Sequence, residues 1–177
     1  MSDVFLALRA RDGEREAFRQ LLEQNYGLIY RVAYRYSGNA DHAEDIAQDV
    51  CVGLVGKLGS FKGESRFSSW LYRVTLNACR DHARRQASVR SLHEAYAEVS
   101  ALVEAGVRDT ARQAAWAYEA LASLDRALRE TALLVVSEDL SHAEAAKILG
   151  VKEATVSWRM HEVRKKLRAL LGTYHDE

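Results

Sequence analysis

Arg73, Asn77, Arg80 and Arg84 recur at intervals of four, three and four residues. On a helix that spacing makes one basic stripe carrying a single amide. Just ahead of it, glycines 59 and 63 bracket a loop that holds Phe61, with Lys62, Glu64 and Ser65 beside it and Phe67 beyond. A π surface, backbone room and phosphate partners are what single-stranded DNA requires. Read from the residues alone, Phe61 serves equally well as a core plug. A second set lies near the C-terminus. Val156, Met160, Val163 and Leu167 share one helical face, which leaves Thr155, Ser157, Trp158, Arg159, Arg164 and Lys165 on the other. Lys152 and Glu162 add charge along the same helix. A polar helix face that grows basic toward its end suits duplex DNA. A third set, Asp45, Gln48, Asp49 and Val52, shares an exposed acidic face, which on charge alone is simply solvated. No P-loop, metal-ligand cluster or nucleophile–histidine–acid set accompanies these residues, so no catalytic residue, metal site or cofactor is expected.

These residues need helices to position them, and the chain supplies little else. It has no proline, and β-branched residues never alternate over a strand length. Apolar residues make up 48% of the 177, enough for packed cores. The formal net charge of zero hides segregation. Asp41, Glu44, Asp45 and Asp49 form an acidic block, while Lys62, Arg66, Arg73, Arg80, Arg84 and Arg85 form a basic one. Local sign governs association more than the total does. Cys51 and Cys79 lack metal-ligand spacing and read as small core residues of a reducing compartment. No signal peptide and no run near membrane-spanning length is present, so a soluble cytoplasmic protein without membrane insertion is expected.

In chain order, Val4, Phe5 and Leu8 start a short helix that Asp12-Gly13 ends. An apolar stripe predicts the next helix over residues 14–37, closed by Gly38-Asn39. Asp41 is the expected cap of a third helix that runs to residue 58, and a fourth covers 66–86. Residues 87–113 lose any sustained stripe and read as a flexible linker. Helices near 114–122 and 125–137 then support a helix-turn-helix over 141–168. There Ser141 and Glu144 make a capping box and Gly150 supplies the turn. The fold class is all-α: two small helical domains, 1–86 and 114–177, with the linker between them.

Taken together, AEDIAQDV (43–50), SFKGESRFSSWLYRVTLNACRDHARR (60–85) and LSHAEAAKILGVKEATVSWRMHEVRKKL (140–167) resemble bacterial RNA polymerase sigma factors. The likeness is to the small extracytoplasmic-function type, which keeps only regions 2 and 4, and it covers about residues 14–86 and 114–171. It implies that Asp45, Gln48, Asp49 and Val52 dock on the β′ clamp helices of core RNA polymerase. It implies that the loop from Phe61 through Lys62, Gly63, Glu64 and Ser65 to Phe67 holds a base flipped out of the promoter −10 element. Asn77 would read that base with donor and acceptor, and Arg73, Arg80, Arg84 and Arg85 would hold phosphates. Trp70 would be mainly structural, packed beneath the loop. Lys152, Thr155, Ser157, Trp158, Arg159, Glu162, Arg164 and Lys165 would meet the −35 element as duplex. The β flap of the polymerase and an anti-sigma factor are further implied partners.

The sequence departs from the family's habit in places. Asp125 takes a helix start where many members carry proline, and Lys152 stands where a Ser or Thr cap is common, weakening that cap by about 1 kcal/mol. Ser157, Trp158 and Glu162 fill positions often basic or small in relatives, so the −35 sequence does not transfer. A stand-alone helix-turn-helix regulator with a sensing or dimerising N-terminal part is the alternative reading. It would bind duplex DNA without polymerase and show two-fold half-sites.

Overall fold

The computed structural model describes residues 3–93, 120, 121 and 123–174, and all its regular elements are helices. The predicted linker beyond residue 93 and most of the helix expected near 114–122 lie outside these residues. Four helices form the N-terminal part: α1 (Asp3–Arg11), α2 (Arg15–Ser37), α3 (Ala40–Lys57) and α4 (Phe67–His93). A 3₁₀ turn, Leu58–Ser60, leads from α3 into the loop before α4. The stripe read in the sequence becomes the core: Leu21 and Ile29 of α2 meet Ile46, Val50 and Leu54 of α3, Leu71 of α4 and Leu6 of α1, all at most 1% exposed.

Two helix boundaries differ from expectation. Asn39, not Asp41, caps α3: its side chain accepts the His42 amide at 2.9 Å, because extended backbone at Asn39 points the side chain back over the first turn. Helix α4 runs on to His93, past the predicted end at residue 86.

The C-terminal part comprises α5 (Arg126–Ala132), α6 (His142–Leu149) and α7 (Glu153–Tyr174). Asp125 caps α5 by accepting the Leu128 amide at 3.1 Å. After Ala132 the helix widens into a π turn, Leu133–Ser137, closed by the Glu138 amide on the Leu133 carbonyl at 3.1 Å. Asp139 then takes a positive φ of 51°, a conformation aspartate tolerates better than most residues. The widened turn leaves Glu138 pointing at the N-terminal helices.

That direction matters, because the two parts are not separate bodies. Val32, Tyr72 and Leu76 of α2 and α4 share one apolar cluster with Leu133, Leu134, Ala145, Ile148, Val156 and Met160. The sequence suggests two modules moving independently; the structure joins them by a common core. The reason is that Val32 and Leu76, fully buried here, lie off the face that the N-terminal core consumes and need a second partner.

Candidate nucleic-acid interface

The helix-turn-helix is built as its local chemistry requires. Ser141 receives the Glu144 amide at 3.3 Å, and the Glu144 carboxylate accepts the Ser141 amide at 3.0 Å. The Ser141 hydroxyl, donating to the same carboxylate at 2.7 Å, and then the Ser141 amide hold the Glu144 carboxyl below its usual range. Gly150 closes α6 at φ 69°, a left-handed geometry that a β-carbon would strain. Helix α7 buries Val156, Met160 and Val163 at 0, 2 and 1% exposure. Its other side therefore faces outward: Lys152, Ser157, Trp158, Arg164 and Lys165 are exposed, and Thr155, Arg159 and Glu162 are half-exposed. Trp158 stands 61% open. Ser157 is tied to α6 by a 2.9 Å contact between its hydroxyl and His142 Nδ1.

The loop before α4 corrects one expectation. Phe61 is 2% exposed, its ring edge-on to Phe67 at 5.4 Å and tilted against Trp70 at 5.6 Å. It is a plug, not a stacking platform. Gly63 explains the turn inward: at φ 75° it lies against Leu8, whose side chain would sit 3.5 Å from an added β-carbon. Phe67 is likewise buried at 1%. What the loop shows to solvent is Lys62, Glu64, Ser65 and Arg66, with Gly63 half-covered. Glu64, Ser65 and Arg66, with Ser69, Trp70, Arg73, Glu144 and Lys147, border a cleft of about 450 Å³. Trp70, half-buried, therefore both supports Phe61 and lines the cleft. Its spacing from Arg73 and Asn77, three and seven residues, is a signal the sequence does carry.

The basic stripe is a second correction, because its arginines already have partners. Arg73 donates to the Ile148 and Lys147 carbonyls at the end of α6, at 3.1 and 2.5 Å. Arg80 clasps the buried Glu130 carboxylate with two bonds, 2.6 and 2.5 Å, and donates to Asn77 Oδ1 at 2.8 Å. Arg84 pairs with Asp81 at 3.0 Å on the surface. Arg85 reaches Asp49 at 2.7 Å, joining the basic helix to the acidic face. Asn77 stays exposed, with its amide nitrogen available to a ligand.

On that acidic face Asp45, Gln48, Asp49 and Val52 are all exposed, Val52 at 81%. Val55, one turn on and 65% exposed, extends it. Sequence reasoning missed Val55, although its spacing of three from Val52 puts the two on one face. Next to this face, His82 is buried to 9% exposure with Nε2 unpartnered among the described residues. Burial, then the neighbouring His42 and Arg85, pushes its pKa down.

A helix-turn-helix packed on a bundle that carries a basic helix and an acidic face defines a DNA-binding transcription protein. Residues 21–89 match the Sigma-70 region 2 family and residues 114–167 match Sigma-70 region 4. The extracytoplasmic-function (ECF) RNA polymerase sigma factor SigM of Mycobacterium tuberculosis is 32% identical over 175 residues, covering 97% of this chain and 85% of SigM. Among solved structures, CnrH in complex with the cytosolic domain of CnrY is similar at TM-score 0.73 and 28% identity, over 97% of both chains. The sigma factor RpoE in complex with the anti-sigma factor NepR, from Bartonella quintana, is similar at TM-score 0.67 and 26% identity, over 88% of this chain and 96% of that one. The chain belongs to the ECF RNA polymerase sigma factors, and its function is to direct transcription initiation. A match to region 2 ahead of the helix-turn-helix disfavours the stand-alone regulator.

Proposed function

We propose that this chain works from the cytoplasm without chemistry of its own, bringing core RNA polymerase to promoters through three separate surfaces. Helix α3 docks on the β′ clamp helices with Asp45, Gln48, Asp49 and Val52, and Val55 widens the contact. The N-terminal part reads the −10 element at the cleft beside the loop. There Glu64 and Ser65 form one wall, with Lys62 and Gly63 next to them in the loop, Arg73, Asn77, Arg80 and Arg84 lie along α4, and Phe61 and Phe67 hold the loop's shape from beneath. Helix α7 reads the −35 element, with Arg164 and Lys165 on phosphates and Thr155, Ser157, Trp158, Arg159 and Glu162 at base edges or sugars, Lys152 at the helix start. The β flap holds the C-terminal part near its element.

The observation that carries this reading is the outward row of α7. With Val156, Met160 and Val163 buried, that row has no intramolecular reason to be basic and aromatic. Two similar solved structures are complexes, one named as an anti-sigma complex, which supports an anti-sigma partner here. No described helix is long and apolar enough to cross a membrane. Transcription in vitro with purified core enzyme tests the proposal. Promoter-specific transcripts should need this chain and fail without core. Operator-like binding to duplex DNA in the absence of core would overturn it.

A further inference from the structure

The C-terminal part covers a face of α2 and α4 that is built like a nucleic-acid surface. Tyr72 lies near its centre, 6% exposed, with its hydroxyl donating to Glu138 at 2.8 Å. Around it are Arg31, Arg35, Arg73 and Arg80. Arg31 donates to Glu138 at 2.9 and 3.1 Å, and Arg35 donates to the same carboxylate at 2.5 Å and to the Ser137 carbonyl. Arg80 holds Glu130 through both carboxylate oxygens, and Arg73 holds two α6 carbonyls. The Glu130 and Glu138 side chains are 4% and 2% exposed. Every guanidinium on this face is thus matched to oxygen acceptors supplied by the other half of the chain.

We infer that this covered face, with Arg31 and Arg35 beside the α4 arginines and Tyr72 among them, binds single-stranded DNA once the two halves part, and that Glu130 and Glu138 stand meanwhile where its phosphates would lie. Planar guanidiniums take carboxylates and phosphates by the same two-pronged geometry, so one anion can replace the other without rebuilding the site. An aromatic ring set among cations is the recurring form of single-strand sites. Nothing in the sequence signals Arg31 or Arg35, because they sit on a different helix from the basic stripe. In the closed form the helix-turn-helix half also restrains the chain, since the −10 arginines cannot serve DNA and Glu130 together. The inference rests on the proposed −10 role of Arg73 and Arg80.

The test uses the full chain with Glu130→Gln and Glu138→Gln together, which keep shape and remove the two anions. Small-angle scattering should show a larger radius of gyration than wild type. Anisotropy with a labelled dT oligomer of about 12 nucleotides should show tighter binding and a steeper salt dependence. Counterion release steepens the slope by about 0.7 per phosphate contact on a single strand, so by about 2.8 if all four arginines engage. Adding Arg31→Gln and Arg35→Gln should return about 1.4 of that. If only Arg73→Gln and Arg80→Gln lower the slope, the Arg31–Arg35 assignment is overturned and the −10 reading stands. If the opened chain gains no slope at all, both fail. Binding of polyglutamate as tight as that of the oligomer would overturn the choice of DNA. Should the double variant melt early by circular dichroism, Arg80→Glu with Glu130→Arg serves instead. The swap should stay as compact as wild type while Arg80→Glu alone expands, and equal compactness of the two would overturn the latch.

Discussion

Removing the Phe61 ring should cost the N-terminal bundle about 3–5 kcal/mol, as for other buried aromatics cut to alanine. The ring is enclosed by Phe67 and Trp70, so Phe61→Ala leaves a void that the loop fills poorly. Urea denaturation measures this, and a loss under 0.5 kcal/mol, typical of surface positions, would restore the ring to the DNA surface. Asn77 contrasts with it. Its side chain is exposed and its one described partner is Arg80, so Asn77→Ala should leave the melting temperature unchanged. It should slow open-complex formation on duplex promoters and matter much less on templates already melted across −10, because extruding a base costs a few kcal/mol that only the intact duplex must supply. Equal defects on both templates would remove Asn77 from the melting step. The residues legible in the sequence are those whose partners lie within a turn or two: Ser141 with Glu144, Asp125 with the Leu128 amide, Gly150. Illegible were Arg80 and Arg73, whose acceptors lie 50 and 75 positions away. A four-three-four spacing shows that arginines share a face, and nothing in it shows what covers that face.

At the scale of the element, α3 and α7 each bury one side and leave another whose chemistry their own packing does not need. For α3, Asp45→Arg with Asp49→Arg should abolish core binding in a pull-down while helical content survives. Like charges placed at a complementary surface cost several kcal/mol. Arg85 sharpens the point, since Asp49→Arg also sets two cations together at an exposed site, where the effect on folding is small. Core capture at wild-type strength would exclude the acidic face as the docking surface. For α7, two kinds of residue should separate. Arg164→Ala or Lys165→Ala should weaken binding to all sequences and flatten the salt slope by about 0.9 per lost duplex contact. Trp158→Ala should shift preference at one or two −35 positions, by about 1–3 kcal/mol. A change of preference from Arg164→Ala with an unchanged slope would reverse these roles. Helix periodicity made both faces legible, because amphipathic spacing is a local property. It also explains why periodicity points to a mainly structural Trp70: a half-buried ring satisfies the inward pattern and still lines a cleft formed with α6.

The junction between the halves adds a dependence on pH that neither half has reason to show alone. Glu138 sits between Arg31, Arg35 and Tyr72 at the junction. Burial pushes its carboxyl up, but the hydrogen bonds from Arg31 and Tyr72 and the two guanidinium charges outweigh this and leave its pKa below the ordinary 4.5. Burial, with the adjacent carboxylate, also pushes Tyr72 up to about 12, so its hydroxyl remains a donor at any working pH. A carboxyl depressed on closing stabilises the closed form above its ordinary pKa and ceases to do so as pH falls through the depressed value. His82 acts in a higher window with the same sign. Its folded pKa lies below 6.5, so the unfolded chain takes up a proton first, and stability falls as pH drops below about 6.5. His42, Arg85, Asp45 and Asp49 face that imidazole, the first two opposing its charge and the acids favouring it. Thermal melts between pH 8 and pH 4 should therefore show a first decline that His82→Gln removes. A second decline, below about pH 4.5, should coincide with expansion in scattering and be absent from Glu138→Gln, which has no carboxyl there to protonate. If Glu138→Gln kept the wild-type acid expansion, the carboxylate at the junction would not be what holds the two halves closed.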